Sequence, residues 1–164
     1  MDKFFSQKKT PVWFMRQAGR YLPEYKRLRS TEETFLDLCF NSKKAAQISL
    51  QPIERFDIDF VILFSDILVV PHALGQFVDF KENIGPVLEP INDKHELDFK
   101  NLTNNLKILE PVFKTIKIIK MQNKEKDLIG FCGGPFTVLT YMIEGRTSKN
   151  HEKVKSKIDT EKNQ

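Results

Sequence analysis

The sequence predicts an α/β protein built from repeated strand–helix units. Two short apolar runs, residues 58–64 and 128–132, are typical of strands buried on both faces of a parallel sheet. Segments with helical spacing alternate with these runs, which is the element order of a βα-repeat fold. A chain of 164 residues can bury one ordinary core, and no internal repeat or linker divides it. We therefore expect one domain over residues 1–164.

Composition and charge restrict the class of protein. A hydrophobic content of 40% with 29% charged residues is typical of a soluble globular chain. The net charge of +4 comes from basic residues spread along the sequence, without the concentrated stripe that a nucleic-acid surface needs. No apolar run is long enough to cross a bilayer. We expect neither a nucleic-acid partner nor a membrane partner.

The amino terminus and the cysteines indicate a cytoplasmic protein. Residues 1–10 are polar and lack the apolar core of an export signal, so they are predicted to form a loose arm. Cys39 and Cys132 lie far apart in sequence and are expected to be reduced thiols. The three histidines form no ligand spacing, so no metal site is predicted.

Local signals place the first helices. Ser30-Thr31-Glu32-Glu33 has the form of a capping box and predicts a helix over about 31–40. Asn41 or Ser42 can cap a second helix over about 43–55, whose end Pro52 should kink or tighten.

The middle of the chain is predicted to be mostly loop. Pro71 and Gly75 indicate loops after the first strand, with a small hairpin around Gly85-Pro86. Residues 93–105 are polar and predicted to begin as loop. A helix over about 108–122 should then follow, with Pro111 in its first turn.

The last part of the sequence repeats the strand-to-helix pattern. Gly133-Gly134-Pro135 links the second strand to a helix over about 135–144, which Gly145 should end. Such a link can aim backbone N–H groups at an anion, although paired glycines often only make turns. Residues 146–164 read as a polar tail, with another polar helix opening after residue 148.

Two features are candidates for a binding or catalytic site. Arg16 and Arg20 lie four residues apart among Trp13, Phe14, Met15 and Tyr21, and arginine forks suit carboxylates or phosphates. The alternative is a solvated basic loop and helix, but water-facing arginines do not need apolar neighbours. Asp66 follows the first buried strand, where a carboxylate either caps a helix or takes part in function.

Three segments resemble one enzyme family. Residues 11–20 (PVWFMRQAGR), 64–71 (FSDILVVP) and 130–145 (GFCGGPFTVLTYMIEG) are similar, in this order, to conserved segments of the uroporphyrinogen decarboxylase family. The resemblance covers nearly the whole chain but only about the first half of the family's length. It implies the amino-terminal portion of a (β/α)8 barrel, incomplete in this chain.

The resemblance also implies an activity and a set of site residues. The family removes the four acetate carboxyl groups of uroporphyrinogen III without a cofactor, giving coproporphyrinogen III and four CO2 in haem biosynthesis. Arg16 and Arg20, aided by Gln17, would bind acid side chains, and Asp66 would accept the pyrrole N–H bonds. Tyr141 would donate to a substrate carboxylate, and Arg16 is a candidate proton donor. The family forms homodimers in the cytoplasm.

Several departures and two alternatives accompany this interpretation. Cys132 and Gly134 stand where the family often has small residues such as alanine. Gln76 stands where the family commonly has an apolar residue, and Arg146-Thr147 interrupts a link that is usually Gly-rich in the family. One alternative is a truncated, inactive fragment that at most binds porphyrinogen. The other is a corrinoid-dependent methyltransferase, which shares the barrel and uses zinc. Without the resemblance, Tyr141 would be read as a buried core residue.

Overall fold

A computed structural model describes residues 9–92, 97, 101–146 and 148–162. In chain order the elements are α1 (Pro23–Arg29), α2 (Phe35–Phe40), α3 (Ser42–Arg55), β1 (Phe60–Ile62), α4 (Val69–Ala73), β2 (Val78–Lys81), β3 (Gly85–Leu88), α5 (Leu102–Gln122), β4 (Asp127–Ile129), α6 (Pro135–Glu144) and α7 (Glu152–Lys162). The α/β class is therefore confirmed. Most of the predicted arm at 1–10 and most of the segment 93–100 lie outside the described residues.

The chain forms two compact units. The first comprises residues 1–33, 37–65 and 111–131, and the second comprises residues 34–36, 66–110 and 132–164. In the first unit β1 pairs in parallel with β4, with Phe60 opposite Asp127 and Ile62 opposite Ile129. In the second unit β2 and β3 form an antiparallel hairpin.

The core of the first unit lies between β1 and two helices. Ala46 and Leu50 of α3 pack with Val61, Leu63 and Ile119, all of them buried. These side chains alternate or recur at the spacing of their elements, so each element turns its apolar face to the same core. The predicted buried character of the first strand is confirmed, although the paired part is only Phe60–Ile62.

Helix α3 begins where the sequence predicts. The Asn41 side chain accepts a hydrogen bond from the Lys44 N–H at 3.2 Å, as an N-cap should. The Lys44 ammonium and the Asn41 amide both donate to the Glu32 carboxylate, and these bonds hold the pKa of Glu32 below its ordinary value.

The predicted capping box is wrong. Ser30 is the C-cap residue of α1, and its hydroxyl donates to the Arg27 carbonyl at 3.0 Å. Helix α1 was not predicted, although Pro23 at its start and Glu24 in its first turn are typical N-terminal signals. The next helix accordingly begins only at Phe35.

The boundaries of α5 and β4 also differ from the prediction. Helix α5 begins at Leu102, so Pro111 lies in its interior and not in its first turn. The Pro111 carbonyl accepts from the hydroxyls of Ser42 and Thr115, at 2.7 and 2.9 Å. Residues 130–132, predicted to continue a buried strand, are exposed and follow the end of β4.

In the second unit the hairpin is confirmed, but its turn lies at residues 82–84, with Asn83 at φ 61°. The short helix α4 replaces a predicted loop. Gln76 is buried, and its amide donates to the carbonyls of Glu89 at 2.7 Å and Met142 at 3.0 Å. This polar residue therefore joins the strand end to α6, which an apolar side chain could not do.

The helices α6 and α7 agree with the prediction. Gly145 ends α6 in the left-handed conformation at φ 76°, and an added Cβ there would lie 2.6 Å from Pro90 and 2.8 Å from the Leu88 carbonyl. Only glycine fits this position without displacing the β3 end. Helix α7 is the predicted polar helix of the tail.

Ser49 provides a test of how α3 fixes the end of the first strand. Its fully buried hydroxyl donates to the Ala45 carbonyl and accepts from the Phe64 N–H, both at 2.8 Å. Ser49→Ala should lower the free energy of unfolding by about 1–3 kcal/mol, because the buried Phe64 N–H loses its partner. Chemical denaturation measures this change. Gln47→Ala on the exposed face of the same helix is the control, and equal effects of the two substitutions would contradict this role of Ser49.

Candidate functional site

The five candidate site residues lie in both units. Arg16, Gln17 and Arg20 belong to the first unit, whereas Asp66 and Tyr141 belong to the second. Within the first unit the structure brings the two arginines and the glutamine together on one segment.

Residues 12–17 are anchored to the beginning of β1. The Val12 N–H donates to the Asp59 carboxylate at 2.6 Å, and the Asp59 N–H donates to the Val12 carbonyl at 2.9 Å. The Gln17 amide donates to the Phe60 carbonyl at 2.7 Å, and its oxygen accepts from the Phe14 N–H at 3.3 Å. Gln17 is only 4% exposed. The Gln17 side chain thus holds the arginine-bearing segment against β1, a function that the sequence did not reveal.

The side chains around this anchor face solvent. Arg16 and Arg20 are exposed, and neither forms an ion pair with a carboxylate among the described residues of its own unit. The aromatic and thioether side chains of the segment are exposed as well, at Trp13, Phe14, Met15 and Tyr21. A surface that combines guanidinium groups with flat apolar side chains is suited to a hydrophobic ligand that carries carboxylates.

The close packing of Gly19 and Tyr21 shapes the same segment. A Cβ at Gly19 would lie 2.0 Å from the Tyr21 ring, so any other residue there would require the exposed Tyr21 side chain to move. Nearby, Tyr25 packs edge-on against Phe64 with ring centres 6.0 Å apart. Burial raises the pKa of Tyr25, while the charges of Arg20 and Arg29 act in the opposite direction.

Asp66 lies just after the first strand and is half-buried. Its Oδ1 accepts from the Leu68 N–H at 2.8 Å, which forms a local turn before α4. The N-cap residue of α4 is Leu68 and not Asp66, so the interpretation of Asp66 as a helix cap is wrong. The carboxylate is oriented by this turn.

Tyr141 lines a cavity in the second unit. The cavity has a volume of about 180 Å³ and is lined by Phe136, Thr137, Thr140, Tyr141, Arg146, Ser148 and His151. Tyr141 is half-buried and not part of the closed core. Arg146, Ser148 and His151 were not predicted to be site residues. The departure of Arg146-Thr147 from a Gly-rich link was the available signal.

The link before α6 is tightly packed. A Cβ at Gly133 would lie 2.3 Å from Val138 and 3.1 Å from Ile67, so this glycine permits a close approach of backbone and side chains. That contact gives a structural reason for Gly133, and the predicted anion site at the link stays a prediction.

The described ranges contain neither a membrane-spanning helix nor a cluster of metal ligands. No helix there is long and apolar enough to cross a membrane. No group of three or more His, Cys, Asp or Glu side chains in the same ranges could hold a metal ion.

The chain matches known proteins over nearly its whole length. A family model described as "Uroporphyrinogen decarboxylase (URO-D)" matches residues 6–164. A uroporphyrinogen decarboxylase of Rickettsia rickettsii (strain Sheila Smith) is 49% identical over 151 residues, covering 92% of this chain and 43% of the relative. That of Rickettsia canadensis (strain McKiel) is 53% identical over 139 residues, covering 84% of this chain and 41% of the relative. The chain thus spans less than half the length of these relatives.

A solved structure supports the fold. A methyltransferase from Methanosarcina mazei superposes with a TM-score of 0.54 over 73% of this chain and 37% of its own, at 18% sequence identity. Similarity at this level of identity indicates a shared fold and says nothing about shared chemistry.

The anchoring role of Gln17 can be tested by proteolysis. Gln17→Leu removes both amide hydrogen bonds while keeping a similar volume, so the segment should detach from β1 more often. Trypsin should then cleave after Arg16 and Arg20 several-fold faster than in the unmodified chain, as followed by mass spectrometry. Gln47→Leu, at an exposed glutamine, is the matched control. Unchanged cleavage rates would show that the anchor does not restrain the segment.

Proposed function

The chain belongs to the uroporphyrinogen decarboxylase family, and we propose that it supplies the amino-terminal part of a (β/α)8 barrel with that activity. The parallel pairing of β1 with β4 agrees with the first two strands of such a barrel. The substrate of the proposed reaction is uroporphyrinogen, and the products are coproporphyrinogen and CO2.

The observation that carries this proposal is the anchored segment with Arg16 and Arg20. Its guanidinium groups are exposed, while its backbone is tied to β1 through Gln17 and Asp59. A substrate with eight carboxylates around a macrocycle of four pyrrole rings needs both bidentate cations and apolar contact area. Arg16 and Arg20 would bind acetate or propionate arms, and Trp13 would contribute apolar area.

In the proposed mechanism Asp66 stabilises positive charge on the substrate. Protonation of a pyrrole carbon makes the ring an electron sink, so the C–C bond to the acetate carboxyl group can break and release CO2. A proton then adds to the resulting methylene group to give methyl, and the ring carbon loses the proton it had gained, so that each CO2 released consumes one net proton. Asp66 would accept the pyrrole N–H bonds and offset the developing charge, which needs no cofactor. Arg16 is the candidate proton donor, and Tyr141 would donate a hydrogen bond to a substrate carboxylate.

We further propose that these 164 residues are inactive by themselves. They span 43% of a relative's length, and β1 and β4 form a sheet of two strands in the described ranges. A closed barrel needs about eight strands. The remaining strands, whether in the same polypeptide or in another, would complete the barrel and the substrate cavity that it encloses. A homodimer in the cytoplasm is expected of the complete protein.

The first test measures activity. The purified chain is incubated with uroporphyrinogen, and release of coproporphyrinogen is followed by chromatography. We expect no turnover from the chain alone. Turnover should appear when it is co-expressed with the carboxyl-terminal remainder of the Rickettsia rickettsii relative. A normal rate from the chain alone would contradict the proposed incompleteness, whereas an inactive but assembled complex would contradict the proposed function.

The role of Asp66 is tested by Asp66→Asn in that active complex. The asparagine oxygen can still accept from the Leu68 N–H, so the turn should persist while the negative charge is lost. We expect kcat to fall by about 100-fold or more, a typical loss when an electrostatic contact to a transition state is removed. Asp57→Asn, at an exposed aspartate, should leave kcat unchanged. Near-normal turnover of the Asp66 variant would refute its role.

The role of Arg20 in binding is tested separately. Arg20→Ala should raise the Kd for uroporphyrinogen by about tenfold, because one charge-assisted contact is lost. Arg27→Ala, at an exposed arginine of α1, is the control. Unchanged affinity for uroporphyrinogen in the Arg20→Ala variant would contradict the proposed role of Arg20 in binding the substrate.

A further inference from the structure

The cavity beside Tyr141 has the chemistry of an anion site. Among its lining residues Arg146 provides a permanent positive charge, and Tyr141 and Ser148 provide hydroxyl donors. Among the described residues, no aspartate or glutamate lines it. A volume of about 180 Å³ is far too small for a tetrapyrrole but is large enough for one short acid side chain.

The nearest acidic residue in sequence is already engaged. Glu144, at the end of α6, accepts from the N–H groups of Lys153 and Val154 at 3.0 and 3.3 Å. These bonds place its charge at the N-terminus of α7, where a helix favours an anion. The Arg146 guanidinium thus has no acidic neighbour among the cavity-lining residues.

His151, which lines the cavity, has an uncommon backbone conformation and a buried ring nitrogen without a partner among the described residues. Its backbone adopts φ 53°, which is strained for a residue with a side chain. Its Nδ1 is buried and has no hydrogen-bond partner among the described residues. A buried polar atom without a partner costs free energy unless a ligand or another group satisfies it.

The loop that carries these residues is held at both ends. The Gly145 carbonyl accepts from the Leu88 N–H at 2.7 Å, and the backbone of Arg146 forms an isolated antiparallel β-bridge with Val87 of β3. At the other end the His151 N–H donates to the Ser148 hydroxyl at 3.1 Å, and the His151 carbonyl accepts from Lys155 at 3.0 Å. Arg146, Ser148 and His151 are therefore presented by a supported loop.

We infer that this cavity binds a single carboxylate group, with Arg146, Ser148 and His151 acting beside Tyr141. The carboxylate is either an acid arm of the porphyrinogen substrate or a free short-chain carboxylate. The assignment to a substrate arm rests on the proposed function, whereas the carboxylate pocket itself does not.

The test compares propionate with its neutral isostere propionamide. Nuclear magnetic resonance of the isotopically labelled, purified chain follows the Arg146 Nε–H and His151 ring signals during titration. We expect saturable shifts with propionate and none with propionamide. Equal shifts with the two compounds, or no saturable shift with propionate, would overturn the inference. This comparison does not depend on the folding of any variant.

Variants then assign the contact. Arg146→Gln should weaken propionate binding by about tenfold or more. Lys149→Gln, at an exposed cation of the same loop, is the matched control and should leave binding unchanged. Arg146→Lys keeps the charge without the planar fork and should give an intermediate affinity, which also shows that the loop still folds. Equal binding by the Gln variant and the control would exclude Arg146 as the ligand.

A competition arm separates the two sources of the carboxylate. Displacement of propionate by uroporphyrinogen would identify the cavity as a subsite for one substrate arm. Propionate binding that uroporphyrinogen does not disturb would support a pocket for a free carboxylate and would contradict the substrate contact proposed for Tyr141. Loss of decarboxylation with intact propionate binding would affect only the proposed function.

Discussion

The first unit depends on the position of β1. The strand pairs with β4 on one side and is covered by α3, whose Ala46 and Leu50 pack on Val61. Asp59 and Phe60 at its beginning hold the arginine-bearing segment, and the Phe64 N–H beyond its end is fixed by a buried serine of α3. A shift of one residue in the register of β1 would turn its apolar side chains away from the core and break these bonds together.

Local signals were sufficient for much of the fold and for few of the site contacts. Asn41 as a cap, Pro135 at a helix start and Gly145 at a helix end act through neighbouring residues, so the sequence revealed them. The capping box at Ser30 was wrong because the preceding helix α1 had already taken that residue as its end. Gln17 resembled a ligand in sequence, yet its amide donates to the Phe60 carbonyl of β1, which lies 43 residues away along the chain.

The arginine-bearing segment and the Tyr141 cavity would meet carboxylates in different ways. The segment offers exposed guanidinium groups beside exposed apolar rings, which suits a large ligand that brings its own apolar surface. The cavity offers the Arg146 guanidinium beside hydroxyl donors in a small volume, which suits one acid group. In the proposed function, the exposed surface would contribute affinity, whereas the cavity would fix the orientation of one acid group.

In the proposed function, electrostatic catalysis depends on the rest of the barrel. An exposed ion pair contributes only about 0–1 kcal/mol, since water competes for both charges. The same charges act far more strongly where walls exclude water and hold the dipoles in place. Arg16 and Arg20 are exposed in this chain, which spans 43% of a relative's length. In the proposed function, the part of the barrel that this chain does not span would therefore do more than close a sheet, because it would exclude water from the guanidinium groups of Arg16 and Arg20.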